Sequence, residues 1–151
     1  MELVPFDANA TSLAEVVNWL NDKEHMKYSN QRFLEHSSKS QEHYLQILKE
    51  EGHTYFFGYE GNMLVGTITI LIRRPHKTAE LGILVSNKVK GRGLGKKLFQ
   101  TASDYAFEIL DVEKQRAGCL DVNLAMVKTL EACGFLDRKS TRLNSSHEWI
   151  S

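Results

Sequence analysis

Two cysteines and two prolines are all that the 151 residues hold, and neither residue type recurs at a spacing that builds a site. Cys119 and Cys133 have no His or Cys companion at metal-ligand spacing, which argues against a zinc site and a disulfide framework and leaves buried thiols as the expectation. No apolar run approaches the ~20 residues that span a bilayer. The opening segment, MELVPFDANA, lacks a charged stretch followed by an apolar one. A cytoplasmic chain without a membrane partner is the expectation. Net charge is lacking too: 19 basic residues offset 19 acidic ones, whereas a chain that coats nucleic acid carries a net basic face. There is no internal repeat and no Pro-, Gly- or Ser-rich linker. With 42% hydrophobic and 25% charged residues, the chain has the composition of a globule. It is long enough to bury most of its apolar surface in one core.

What is present falls into periodic segments. Ser12-Leu13-Ala14-Glu15 has the form of a capping box, and Leu13, Val16, Val17 and Leu20 recur at helical spacing, so a first helix should end near Asn21. The polar, aromatic stretch NDKEHMKYSNQRFLEH has no sustained period and reads as a long irregular connection, a kind of loop that is usually functional. A second capping box at Ser38-Lys39-Ser40-Gln41 opens a helix to about Glu50. TYFFGYE and MLVGTITILI flank Gly61-Asn62 and predict an antiparallel hairpin, closed off by Pro75; AELGILV and QRAGCLDV predict further strands. Between these two, Leu94, Leu98, Ala102, Tyr105 and Ile109 mark a helix face. Asn123 suits an N-cap and Gly134 a C-cap for a last helix. The order is α-α-β-β-β-α-β-α, with a small strand before Pro5.

The stretch VSNKVKGRGLGKKL raises the chemical question. Gly91, Gly93 and Gly95 lie between a strand and a helix, where backbone N–H groups converge and the helix dipole favours an anion. Lys88, Lys90, Arg92, Lys96 and Lys97 add charge around the same mouth. Neither common nucleotide motif fits, since a P-loop needs Ser or Thr after its Lys and the dinucleotide fingerprint needs a third glycine at a different spacing.

The stretch is similar instead to the acyl-CoA pyrophosphate loop of the GNAT superfamily of N-acetyltransferases, Gln/Arg-x-x-Gly-x-Gly/Ala after a strand, with Lys90, Gly93 and Gly95 in its three defining places. NLAMVKTLEACGF resembles the family's later helix, in which an Asn precedes a Gly-Phe by eleven positions, as Asn123 precedes Gly134-Phe135. WLNDKEHMKYS and AGCLDVN further resemble the branch containing ribosomal-protein N-terminal acetyltransferases and sugar-nucleotide-modifying relatives.

The resemblance implies an α/β (α+β) fold with a mixed, mostly antiparallel central sheet flanked by helices. It also implies acetyl-CoA as cosubstrate and a primary amine, of a small molecule or a protein N-terminus, as acceptor, attacked directly in a ternary complex. It allows a homodimer. The strand before the loop should end in a bulge and splay from its neighbour, opening a gap between Leu84-Val85 and Ala117-Gly118-Cys119 for the thiol arm. Small residues at Ala117 and Gly118 suit a ligand there, or an ordinary strand irregularity. Leu84, Val85, Lys90, Gly91, Arg92, Gly93, Leu94, Gly95, Lys96 and Asn123 are the implied cofactor residues, with Asn123 serving as helix cap, cofactor contact or both. The Val85 N–H is the implied oxyanion donor. Glu80 is the candidate base that takes the amine proton, directly or through water, or else a solvent-facing strand glutamate. Leu130 stands where the family often has the tyrosine that protonates the departing thiolate. Trp19, Asn21, Tyr28, Ser29 and Gln31 are the candidate acceptor residues, or else core packing and turn caps. Isolated histidines such as His25, His36, His43, His53 and His76 read as surface residues.

Two alternatives stand beside the transferase. Leu130 allows a non-catalytic acyl-CoA-binding module, and the basic loop allows a nucleic-acid-binding domain, which neutral net charge opposes. The last residues, LDRKSTRLNSSHEWIS, show no strand alternation, and DRKSTRLNSSH resembles the in-frame translation of a short-read sequencing adapter. The expectation is therefore an acyltransferase domain over 1–136 and a non-native tail over 137–151, with the C-terminal strands missing or replaced and a sheet edge unpaired.

Overall fold

The computed structural model describes residues 1–6, 10–73, 77–89, 91–120, 123–138 and 146–150. Its elements run β1 (Glu2–Pro5), α1 (Ala10–Asn21), a 3-10 turn (Asn30–Phe33), α2 (Ser38–Glu50), β2 (Thr54–Glu60), β3 (Met63–Arg73), β4 (Thr78–Val85), α3 (Leu94–Glu108), β5 (Lys114–Leu120), α4 (Leu124–Ala132), β6 (Leu136–Arg138) and β7 (Ser146–Ile150). The strands form one sheet in the order β1-β2-β3-β4-β5-β7-β6. Every pair is antiparallel except β4 with β5, which is parallel. None of the helices among the described residues is long and apolar enough to cross a membrane. Nor do the described residues gather three or more His, Cys, Asp or Glu that could hold a metal.

Local chemistry accounts for most element ends, and it corrects two of the expected caps. Ser12 does not begin α1; it lies inside the helix, buried, and its hydroxyl bonds the Tyr59 hydroxyl. The second capping box is one residue earlier than expected: Ser37 is the N-cap and exchanges bonds with Ser40. Three serines within four residues satisfy the same rule, and only the backbone path chooses among them. The β2–β3 hairpin turns over Gly61-Asn62 as expected, with Gly61 at φ +61°. Gly134, at φ +84°, follows α4 in the left-handed conformation that ends a helix. Pro75 and His76 lie outside the described residues.

The largest departure is at the C-terminal end. The tail has no strand pattern, yet Ser146–Ile150 pairs along β5, from Leu120↔Ser146 to Arg116↔Ile150. Leu136–Arg138 adds a short outer strand, with Leu136 opposite Ile150. The place of that strand pair is thus filled by the tail residues themselves, and the expected unpaired edge is not there, because β5 pairs with β7. Backbone N–H and C=O groups pair whatever side chains they carry, so a polar strand leaves little trace in hydropathy.

The sheet divides the core in two. Ala79, Leu81, Ile83 and Val85 of β4 turn toward α3 and α4 and join a cluster with Phe56, Ile68, Ile70, Leu98, Phe99, Leu130 and Phe135. Leu84 turns the other way, to Val16, Trp19, Leu20, Met26, Phe57 and Leu64 under α1. Two glycines opposite each other, Gly58 and Gly66, let α3 come down onto the sheet. A Cβ on Gly58 would stand 2.4 Å from Leu98 Cδ1. One on Gly66 would stand 2.3 Å from the Leu84 carbonyl oxygen and 2.9 Å from Leu98 Cδ2. Leu98, fully buried, occupies that slot.

Candidate active site

The candidate site grows from the two edges of β4. On one edge, β3 pairs with it without interruption, from Arg73↔Thr78 to Gly66↔Val85. On the other, pairing with β5 covers only Thr78↔Lys114, Ala79↔Gln115 and Glu80↔Arg116. Beyond Glu80 the two strands part, and β5 pairs on toward β7 instead. The expected splay between Leu84-Val85 and Ala117-Gly118-Cys119 is therefore present. The expected bulge in β4 is not: its register with β3 is continuous, and the irregularity of this sheet lies at Gly58/Tyr59 in the β2–β3 pair.

The direction of the Val85 backbone follows from that register. Ser86 N–H donates to the Val65 carbonyl at 2.7 Å, which makes the next position back, Val85 opposite Gly66, a pair whose backbone groups turn away from each other. Both the N–H and the C=O of Val85 accordingly point from the open edge of β4. The N–H has the direction an oxyanion donor needs. The carbonyl is already engaged, by His25 Nε2 at 2.6 Å.

At the upper end of this opening stands the N-terminus of α3. Gly91 and Gly93 take φ +77° and +71°, a conformation that costs any residue with a side chain roughly 1–2 kcal/mol. Gly93 is the N-cap and brings no side chain to the first turn, so the N–H groups of Leu94, Gly95 and Lys96 have no partner inside the helix. Gly95 serves proximity rather than backbone freedom, because a Cβ there would stand 3.4 Å from Val85 Cγ2. The glycine turn thus rests on the residue that ends β4. Lys97 is withdrawn from the basic mouth, since it bonds Glu60 at 2.7 Å. That bond, with help from the nearby chain amino group, holds the Glu60 carboxyl below its usual range. Lys88, Arg92 and Lys96 are exposed and form no ion pair among the described residues. Lys90 lies outside the described residues.

Glu80 sits at the last β4–β5 pair, where the strands begin to part. Its carboxylate meets Arg73 at 3.0 Å, with the two side chains 40% and 59% exposed. An exposed pair of this kind is worth about 0–1 kcal/mol, so Arg73 does not lock the carboxylate away from other work. Glu80 and Val85 are five positions apart, about 17 Å of strand at ~3.4 Å per residue. Any proton that Glu80 takes from an amine poised near Val85 must travel through water. Asn123 is the N-cap of α4 and accepts from Met126 N–H at 3.3 Å. Leu130 is fully buried in the core, and no proton donor stands at that position. Cys133 is free, and partial burial pushes its thiol up. The Cys119 side chain lies outside the description.

The expected acceptor residues separate into different roles. Trp19 is 3% exposed and packs in the core beneath α1. Asn21 is a clamp: its Nδ2 donates to the His36 carbonyl and its Oδ1 accepts from His36 N–H, both at 2.8 Å. Ser29 caps the 3-10 turn by accepting from Gln31 N–H, and the Gln31 carbonyl accepts from Leu34 N–H and bonds the His36 ring. Tyr28 is 40% exposed, with Lys27 Nζ 5.2 Å from its ring centroid. The loop after α1 is therefore a built object. Asp22 holds the N–H groups of Glu24 and His25, both at 3.1 Å, and Met26 anchors the turn in the core. An open depression lies at its foot, lined by Leu20, Asn21, Lys23, Leu34, Glu35 and His36.

The sequence pattern missed His25. Asp22 after a helix end does signal an Asx-type turn, but a bond to a carbonyl sixty residues away leaves no local mark.

Comparison with known proteins agrees with this geometry. The family model for the acetyltransferase (GNAT) domain matches residues 1–136. The chain is 30% identical over 105 residues to "Probable N-acetyltransferase YjcK" of Bacillus subtilis, covering 66% of this chain and 58% of that protein. It is 31% identical over 75 residues to the spermidine N(1)-acetyltransferase of Vibrio cholerae, covering 49% and 43%. The matches thus span about half the length of these curated relatives. Among solved structures, the V. cholerae spermidine N-acetyltransferase in complex with CoA and spermine has a TM-score of 0.84 at 20% identity, covering 99% of this chain and 94% of that one. That likeness is one of fold. With the family model matched from residue 1 to 136, the chain belongs to the GNAT acetyltransferase domain family.

Proposed function

We propose that the chain transfers the acetyl group of acetyl-CoA to a primary amine by direct attack in a ternary complex. The observation that carries this reading is the parting of β4 from β5 after Glu80, directly beneath a helix N-terminus whose first-turn N–H groups are uncapped. The pyrophosphate sits on the turn from Gly91 to Lys96, with Arg92 and Lys96 adding charge and Lys90 completing the motif. The thiol arm runs between the strands along Leu84 and Val85, and Asn123 lies beside it. The amine nitrogen attacks the thioester carbonyl, and the oxygen takes up charge opposite the Val85 N–H. The C–S bond breaks, and the amine proton passes through water to Glu80. With Leu130 in the core, the thiolate leaves without a tyrosine and takes its proton from water.

The acceptor is a small primary amine or a protein N-terminal amine. The names of the relatives make spermidine the first candidate to try, and a ribosomal-type N-terminal peptide the second. The resemblance of WLNDKEHMKYS to the N-terminal acetyltransferase branch is what keeps the peptide as the second.

Isothermal titration with acetyl-CoA and with CoA tests the reading: micromolar binding is expected, and no heat from a folded chain would sink it. The competing reading, a non-catalytic acyl-CoA-binding module, is favoured by Leu130 being apolar and buried. Release of free thiol in the presence of an amine acceptor separates the two, because only the transferase produces it.

A further inference from the structure

We propose that His25 is a positioning residue of the transfer step, which fastens the acceptor-side loop to the residue that holds the reacting carbonyl. The proposal rests on the acetyl-transfer reading above. Its observation is the bond from His25 Nε2 to the Val85 carbonyl at 2.6 Å. A carbonyl can only accept, so Nε2 carries the proton. The N–H and C=O of Val85 leave β4 from the same open edge, as the β3–β4 register dictates. Unbonded, that carbonyl would set its negative end beside the oxygen that becomes an oxyanion. It would also be a polar group at a strand edge where β5 no longer pairs. His25 occupies it and leaves the N–H as the backbone group of Val85 turned to the thioester.

The same bond sets where the acceptor loop lies. His25 is presented by a turn that Asp22 ties at two N–H groups and that Met26 roots in the core under α1. From the other side Val85 is held by β3, and its side chain lies under the first turn of α3. Loop, strand and anion-binding turn therefore meet at one residue, and the loop cannot shift without releasing that carbonyl.

The test compares His25→Ala with His25→Gln in the full chain. Glutamine keeps an N–H donor at similar reach and removes the imidazole. With acetyl-CoA and spermidine or an N-terminal peptide, kcat should fall about tenfold in the alanine variant, the loss expected of one neutral hydrogen bond acting on the reacting geometry. Acetyl-CoA affinity should stay within about twofold, and glutamine should restore kcat to within about threefold. A carbonyl 13C label at Val85 reads the bond without turnover: its signal should move in the alanine variant and return in the glutamine one. Wild-type kcat in the alanine variant overturns the proposal, as does a glutamine variant as slow as alanine, which would give the imidazole another role. If wild-type chain fails to bind acetyl-CoA, the proposed function falls and this role with it. If it binds and turns over but the variants do not differ, only this role falls.

Discussion

The two edges of β4 show what one strand can be made to do. Against β3 it is paired along its whole length, from Thr78 to Val85, and glycines at Gly58 and Gly66 let α3 press onto that side of the sheet. Against β5 it is paired for three residues and then left open. The closed edge contributes a rigid reference for the Val85 backbone. The open edge leaves the Val85 N–H unspent while His25 takes the carbonyl, and under the proposed function that N–H is the group a thioester oxygen can use. The proposed reaction needs both, because an unpaired strand on two sides would have no fixed geometry to offer a transition state.

The comparison is broken most severely from the closed side. Gly66→Ala would drive a methyl group to 2.3 Å from the Leu84 carbonyl oxygen, and a backbone atom inside a continuous ladder has little room to yield. Overpacking of this kind costs about 3 kcal/mol, so denaturant unfolding should show a large loss of stability or no folded chain. Gly58→Ala meets the flexible end of Leu98 and should cost less. Unchanged midpoints in both variants would mean that the glycine slot does not set the helix position.

From the open side the changes should touch chemistry and spare the fold. Glu80→Gln removes the proposed base at the point of divergence. At pH 7 kcat should fall about a hundredfold, the lower end of what a general base contributes. Acetyl-CoA binding should hold, and the melting temperature should move little because the ion pair with Arg73 is exposed. A kcat within threefold of wild type would remove Glu80 from the mechanism.

The smallest effects belong to the glycine turn, the proposed phosphate site. Gly93→Val places a β-branched residue at φ +71°, and acetyl-CoA affinity should drop about tenfold as the turn distorts. Lys96→Glu leaves the backbone intact and reverses one exposed charge. Its loss, about threefold at low salt, should shrink as salt is added. If neither titration differs from wild type, the turn is not the phosphate site.

How much of this was legible in the sequence depends on the range of the interaction responsible. The strand–loop–helix run from Ala79 to Ile109 was legible, because glycine at φ > 0, a helical apolar face and a basic mouth are all local signals. Asn123 as a cap and Gly134 as a stop were legible for the same reason. The roles of Asn21 and His25 were not. Each depends on a backbone group brought close by folding, His36 for one and Val85 for the other, and neither periodicity nor composition carries that information. The strand at Ser146–Ile150 was illegible because pairing with β5 needs only its backbone. Trp19 looked available for a substrate because tryptophan suits both binding and core positions; its burial under α1 decides between them.

The slot made by Gly58 and Gly66 reaches beyond packing. With Leu98 seated in it, α3 is indexed along the sheet, like a peg in a numbered hole. The distance from the turn at Gly93 to the Val85 peptide is then a constant of the fold. Under the proposed function that constant is a gauge. It measures the carrier arm from its phosphates to its thioester, and an acetyl donor with a shorter arm would reach the turn or the strand, one at a time.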